Sequence, residues 1–252
     1  MDLELIRDSL PRLADGTIQT LWMTALSVLI GLSLALPLAL MRVSHNPLLR
    51  WPVYGYIFYF RGTPLLIQIY LIYYGSGQFH QTLDSIGLWT FFRDDYFCAV
   101  LALTLNTAGY TAEILRGAIQ AVPHGEVEAA RACGMSGALL YRRIILPKAF
   151  RLALPAYSNE VVFLFQATSL VSIITIMDLT GVARAIAARS FAIYEVYIFA
   201  GMIYLAITYA ILWVFAKVEF RWTGHLRERP TLGRALLAAG QRAALTQPVL
   251  RP

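Results

Sequence analysis

The chain has 252 residues and a formal net charge of +6, with 58% hydrophobic and only 14% charged residues. That composition is too apolar and too poor in charge for an ordinary soluble domain, and it points to a membrane protein. The high isoelectric point does not require a nucleic-acid partner, because the basic residues are sorted to one side of the expected bilayer.

A hydrocarbon layer about 30 Å thick needs roughly 20 apolar residues in a helix, so the spans show where charge is missing. Five spans are expected, near 17–41, 52–75, 96–117, 153–176 and 194–216, in an all-α polytopic fold. Between Asp15 and Arg42 there is no charged residue at all. The second span is the least regular: Arg61, Gly62, Thr63 and Pro64 interrupt it, and a proline leaves the carbonyl four residues back without its helical donor. A kink or break is expected there. Trp51, Tyr54, Tyr56, Tyr59 and Phe60 crowd the start of this span and suit a membrane interface.

The segment before the first span has two arginines against four acids, and the loop with Asp84, Arg93, Asp94 and Asp95 has one basic residue. Arg42 and Arg50, the loop with Arg116, Arg131, Arg142, Arg143, Lys148 and Arg151, and a tail with Lys217 and six arginines form the basic side. By the positive-inside rule the N-terminus is expected outside and the C-terminus inside. The permease-like body is expected over 1–228 and a basic cytoplasmic tail over 229–252. No cleavable signal is expected, since the first residues are acidic and the first apolar run is too long for a signal core. Cys98 and Cys133 fall on opposite sides of this topology, which argues against a disulfide.

The loop expected at 118–150 contains EVEAARACGMSGALLYRRIILP. Glu126 to Cys133 reads as a helix with small residues at Ala129, Ala130 and Ala132. Gly134 reads as a turn, and Ser136 as the cap of a second short helix carrying Leu139, Leu140, Ile144 and Ile145, which Pro147 stops. From the residues alone this is either a docking element or an interfacial amphipathic hairpin with no partner.

The order Glu128, Ala129, Ala130, three residues, Gly134, nine residues, Ile144, one residue, Leu146, Pro147 resembles the cytoplasmic signature of ABC importer permeases. In that family the loop seats in the ATP-binding subunit, so the resemblance implies a coupling role for these residues together with Glu126. RGTPLLIQIYLIYYG at 61–75, LNTAGYTAEILRGAIQAVPHGE at 105–126 and LPAYSNEVVFLFQATSL at 154–170 resemble the polar amino-acid uptake subfamily. They are most similar to the M-type permeases of histidine/lysine/arginine/ornithine and opine importers. The resemblance covers roughly residues 15–225 and implies a type I ABC importer permease fold.

It further implies a bacterial cytoplasmic membrane, a second related permease subunit, two ATP-binding subunits holding ATP and magnesium, and an external solute-binding protein. This chain is expected to be no enzyme: it has no G-x-x-x-x-G-K-[ST] loop to cradle phosphates. Its four histidines show no ligand spacing, so no metal or other cofactor is expected on it.

An ionisable residue inside a span is costly and therefore a candidate functional group. Glu160 should lie close to mid-membrane, and no basic residue stands in the neighbouring turns. It is either a substrate ligand or a protonated glutamate bonded to a neighbouring helix. Asn106, Tyr110 and Glu113 are expected to form one polar stripe on the third span, and Tyr157, Glu160 and Thr168 a second on the fourth. Interhelical hydrogen bonding would also explain such stripes, and Glu113 alone would suit an interfacial glutamate reaching water or Arg116.

A carboxylate beside an amide and an aromatic ring makes a cage for an ammonium or guanidinium group. In the subfamily that the chain resembles, glutamine commonly stands where Glu160 does, so the acid points to basic amino acids or opines. Glutamine or another neutral amino acid is the alternative. An intramembrane hydrolase would need a nucleophile and base facing each other within the spans, and none is found. A passive channel would need no docking loop.

Overall fold

A computed structural model describes residues 3–223; the basic tail expected at 229–252 lies outside the described residues. Every regular element among the described residues is helical. The longest, α1 (Leu3–Val43), runs 41 residues without interruption. At 1.5 Å per residue this is about 60 Å, roughly twice the hydrocarbon thickness, so its first turns extend beyond the expected span. The hydroxyls of Thr17, Thr20, Thr24 and Ser33 each donate to the carbonyl four residues back, which satisfies them inside an apolar helix.

After a short turn, α2 (Pro47–Gly62) runs back alongside α1 and stops, and α3 (Leu65–Ser76) begins after Thr63 and Pro64 in extended conformation. The second expected span is therefore two half-helices rather than one kinked helix. A single 3₁₀ turn at Gly77–Phe79 and the short helices α4 (His80–Ser85) and α5 (Trp89–Phe92) lead to α6 (Asp95–Gln120). Asp94 caps α6 by accepting from the Phe97 amide at 2.6 Å.

α6 is the most enclosed of the long helices, packed against α1, α2, α3 and α9. Gly31 is where α1 meets it: a Cβ on Gly31 would lie 2.5 Å from Cγ2 of Thr107.

The loop after α6 carries α7 (His124–Ala132) and α8 (Gly137–Leu140). Here the structure corrects the expectation that Pro147 stops a helix. The chain stays helical through a π turn at Tyr141–Ile145 into α9 (Leu146–Ala167), and Pro147 sits in the first turn of α9. Proline lacks a donor and its ring crowds the carbonyl four residues earlier; a wider π turn at that place accommodates both. Ser136 does occupy the cap position of α8 in extended conformation, but its side chain makes no capping bond.

The fourth span ends differently from the expectation as well. Thr168–Ile174 tightens into a 3₁₀ helix, and Thr175 turns the chain with φ 78°. An element that sequence reasoning did not anticipate follows: α10 (Leu179–Ser190), capped by buried Asp178, which accepts from the Gly181 amide at 2.8 Å. α10 buries Leu179, Val182, Ala183 and Ile186 against Leu13 of α1 and Val196 and Ala200 of α11 (Ile193–Thr223). This packing explains why α1 is long, since its first turns are the partner of α10.

Among the described residues four single helical stretches are long and apolar enough to cross a membrane, Arg7–Val43, Asp95–Gln120, Gly137–Ile174 and Ile193–Trp222. α2 with α3 completes the five expected segments as a broken pair. Large apolar side chains stay outside the packing along α1, α2 and α11, among them Trp22, Leu29, Trp51, Phe58, Leu205 and Trp213. Such a surface suits lipid or another membrane subunit, not water.

Candidate substrate cavity and coupling loop

The break between α2 and α3 is built from the chemistry of Pro64. Having no N–H, Pro64 leaves the Phe60 carbonyl without its helical donor. Two amides replace that donor. Gln68 Nε2 donates to Phe60 O at 2.9 Å and to Thr63 O and Oγ1 at 3.1 and 2.8 Å, while Asn106 Nδ2 donates to Phe60 O at 3.2 Å and to Gln68 Oε1 at 2.9 Å. Gln68 is only 1% exposed. Sequence reasoning chose Asn106 but missed Gln68. The available signal was an amide four residues after a proline in an otherwise apolar run.

Around this break lies a cavity of about 490 Å³ lined by Pro64, Asn106, Tyr110, Asn159, Glu160 and Phe163 among others. Glu160 is 8% exposed, and its Oε1 accepts from Thr107 Oγ1 at 2.9 Å across the α6–α9 contact. Thr107 is therefore a positioning residue for the carboxylate, and it is the same side chain that Gly31 leaves room for. The N-terminus of α3 opens on the same cavity through Thr63, Pro64 and Leu65. Ile67 and Gln68 already donate to Pro64 O at 3.0 and 3.2 Å, which leaves the Leu65 and Leu66 amides at the positive end of the helix dipole. A cavity with a carboxylate on one wall and a helix N-terminus on another is complementary to a molecule that carries both a cation and an anion.

The expected polar stripes separate in three dimensions. Tyr110 stays with Asn106 at the cavity: its hydroxyl donates to the Arg61 carbonyl at 3.3 Å and the Arg61 guanidinium carbon lies 5.2 Å from its ring centroid. Glu113, one turn further, lines a neighbouring cavity and accepts from Arg116 Nε at 2.8 Å.

Tyr157 does not join Glu160. Its ring packs edge-on to Phe215 at 6.0 Å, on an apolar cavity with Leu32, Ile114 and Trp222. Residues three apart on a helix point 60° apart, enough here to send the two side chains to different neighbours. Thr168 is fully buried and donates to the Phe165 carbonyl at 2.7 Å, in the 3₁₀ segment where α-helical face counting no longer holds. Among the described residues no group of three or more His, Cys, Asp or Glu side chains stands close enough to hold a metal ion.

The loop residues divide into two groups. Ala130, Leu140 and Ile145 are buried, with Ile144, Leu146, Val127 and Met135 packed against them, and they fasten α7 to the start of α9. Lys148 on α9 forms an ion pair with Glu126 on α7. Glu128, Ala129, Arg131 and Ala132 are exposed on α7, and Pro147 is exposed on α9.

Gly134 ends α7 with φ 81°, donating to Arg131 O at 2.9 Å while the next amide, of Met135, donates to Ala130 O at 3.0 Å. That pair of bonds is the Schellman arrangement, which needs a left-handed residue at the position of Gly134. A Cβ there would meet nothing within 4 Å, so the requirement for glycine lies in the backbone and not in space.

The family described as binding-protein-dependent transport system inner membrane component matches residues 27–224. The nopaline transport system permease protein NocM of Agrobacterium fabrum is 48% identical over 229 residues, covering 91% of this chain and 95% of that protein. The histidine/lysine/arginine/ornithine transport system permease protein HisM of Escherichia coli K12 is 45% identical over 216 residues, covering 86% and 91%. A crystal structure of an amino acid ABC transporter with histidines superposes with a TM-score of 0.77 at 35% identity, covering 88% of this chain and 99% of that one. The chain belongs to the inner-membrane components of binding-protein-dependent transport systems: it is an ABC importer permease, and ATP hydrolysis resides on a separate subunit.

Proposed function

We propose that this permease carries basic amino acids or opines, with Glu160 as the group that selects a cationic side chain. The carrying observation is a buried glutamate, 8% exposed and held by Thr107, on the wall of a cavity that also exposes a helix N-terminus. A guanidinium or ammonium side chain would pair with Glu160 while the α-carboxylate meets the amides of α3, and an acidic amino acid would be repelled. The likeness to NocM, a nopaline transport system permease protein, and to HisM, a histidine/lysine/arginine/ornithine transport system permease protein, supports this reading.

The assembly we envisage has a related second permease subunit, a pair of ATP-binding subunits that hold ATP and magnesium, and an external solute-binding protein, in a bacterial inner membrane. The N-terminus faces outside and the C-terminus inside, so α7 meets the ATPase through Glu128, Ala129 and their exposed neighbours. The buried members of the loop, Ala130, Ile144 and Leu146, keep α7 rigidly attached to α9, the helix that carries Glu160. Nucleotide-driven movement of α7 then reaches the substrate cavity along one continuous element, and alternating access follows.

The test is ATP-driven uptake into proteoliposomes holding the complete transporter, with arginine, lysine, ornithine, histidine, nopaline and octopine each compared with glutamine. Preference for the cationic group or the opines supports the reading. Preference for glutamine replaces it with a neutral amino-acid permease.

A further inference from the structure

A second cavity of about 370 Å³ adjoins the substrate cavity on the α7 side of α6, and Tyr110 lines both. Its polar lining is Arg42 at the end of α1, Arg61 at the end of α2, Tyr54, Tyr110 and Glu113. The Arg42 guanidinium carbon lies 4.6 Å from the Tyr54 ring centroid, and its Nε is buried without any hydrogen-bond partner. Arg61 covers the Tyr110 ring at 5.2 Å.

The one acid on the lining is already engaged, since Glu113 accepts from Arg116, which also donates to Gln120 at 2.6 Å. The ion pairs among the described residues are Glu113 with Arg116 and Glu126 with Lys148, so neither Arg42 nor Arg61 has a carboxylate partner there. Arg61 is exposed and Arg42 half-buried, and both face the single carboxylate of Glu113, which Arg116 already holds. Two guanidinium groups beside one engaged acid, with the Arg42 Nε donor buried and idle, leave a place for an oxyanion. The neighbouring cavity would supply one, because every α-amino acid leaving Glu160 carries a carboxylate past Tyr110.

We infer that this cavity is an exit subsite, in which Arg42 and Arg61 take the α-carboxylate of the transported amino acid once its side chain has left Glu160. The inference rests on the proposed function for the identity of the cargo, but the subsite reads the carboxylate, which neutral amino acids share.

The test is equilibrium binding of labelled arginine to the complete nucleotide-free transporter in lipid nanodiscs without the solute-binding protein. Agmatine, which is arginine without its carboxylate, and glutamine are measured beside it. The expected result is that arginine binds in two phases, and that Arg42→Gln and Arg61→Gln weaken the phase that agmatine lacks at least tenfold and leave agmatine within twofold, while Arg42→Lys, which keeps the charge, retains most of that phase. Each variant is first shown to assemble with its partners by size-exclusion chromatography, and Arg42→Lys guards against a loss that is only structural.

Equal weakening of arginine and agmatine, or unchanged arginine binding in both glutamine variants, overturns the inference. So does a loss that occurs in phosphatidylglycerol discs and vanishes in phosphatidylcholine discs, because the cavity would then hold a lipid phosphate. If the wild-type complex binds glutamine but not arginine, and the glutamine variants weaken that binding tenfold, the subsite stands and the cationic cargo falls.

Discussion

Replacing Glu160 by glutamine isolates the charge of the substrate cavity. The amide keeps the shape of the side chain, and its oxygen still accepts from Thr107 Oγ1, which lies 2.9 Å from Oε1 in the native protein. Truncating one partner of a buried charge pair costs about 2–5 kcal/mol. The cavity of about 490 Å³ is open enough to admit water beside a bound amino acid, which argues for the lower part of that range. At about 1.4 kcal/mol per tenfold, a loss of roughly 2–3 kcal/mol weakens a basic substrate by about 30- to 150-fold.

A neutral amino acid has no charge to pair, so glutamine should change by less than about threefold. The assay is competitive uptake of labelled arginine against glutamine in proteoliposomes, backed by direct binding without the solute-binding protein, so that delivery does not mask selection. Equal losses for both substrates would show that Glu160 only links α6 to α9 through Thr107. An unchanged preference for arginine would place selection elsewhere and refute the argument.

Gly134→Val, whose backbone must hold φ near 81°, should abolish transport and substrate-stimulated ATP hydrolysis together while the protein still inserts; Gly134→Asn, which tolerates the left-handed region, should keep most of both, and normal uptake by the valine variant at wild-type abundance would sink the coupling role. Gly31→Ala should lower stability by about 1–3 kcal/mol, read as a reduced Tm, and Gly31→Ala with Thr107→Ser should recover much of it, because serine removes the methyl that would sit 2.5 Å from the new Cβ yet retains the hydroxyl that serves Glu160; failure to recover would mean that the contact is not the cause. The exposed native Cys133 should react with an impermeant thiol reagent only in inverted vesicles, and a cysteine placed at exposed Ser85, with Cys133 replaced by serine, only in intact cells; labelling of both from one side would overturn the proposed orientation.

Hydrophobic spans are legible in a sequence because the bilayer acts on each segment separately: a run without charges is expensive to leave in water whatever else the chain does. That is why residues 17–41, 96–117 and 194–216 fall inside α1, α6 and α11. The rupture at Pro64 is equally local, following from one missing N–H. The turn at Gly134 and the motif around it belong to this class too, since a left-handed residue and its two hydrogen bonds involve only a few successive amides.

The identity of the groups that repair the rupture is a different kind of fact. Asn106 stands 46 residues from the Phe60 carbonyl that it serves, and only the packing of α2 and α3 on α6 brings it there beside Gln68. The separation of Tyr157 from Glu160, the pairing of Thr107 with Glu160, and α10 with its buried Asp178 are likewise decided by neighbours distant in sequence. Local pattern states which faces are polar, but two polar residues 60° apart on one helix become site and spacer according to what packs on each side. The sequence alone thus determines the spans, the break and the coupling turn, where the cause lies within a few bonds. Which side chains share a cavity depends on contacts between helices, and those exist only once the bundle has formed.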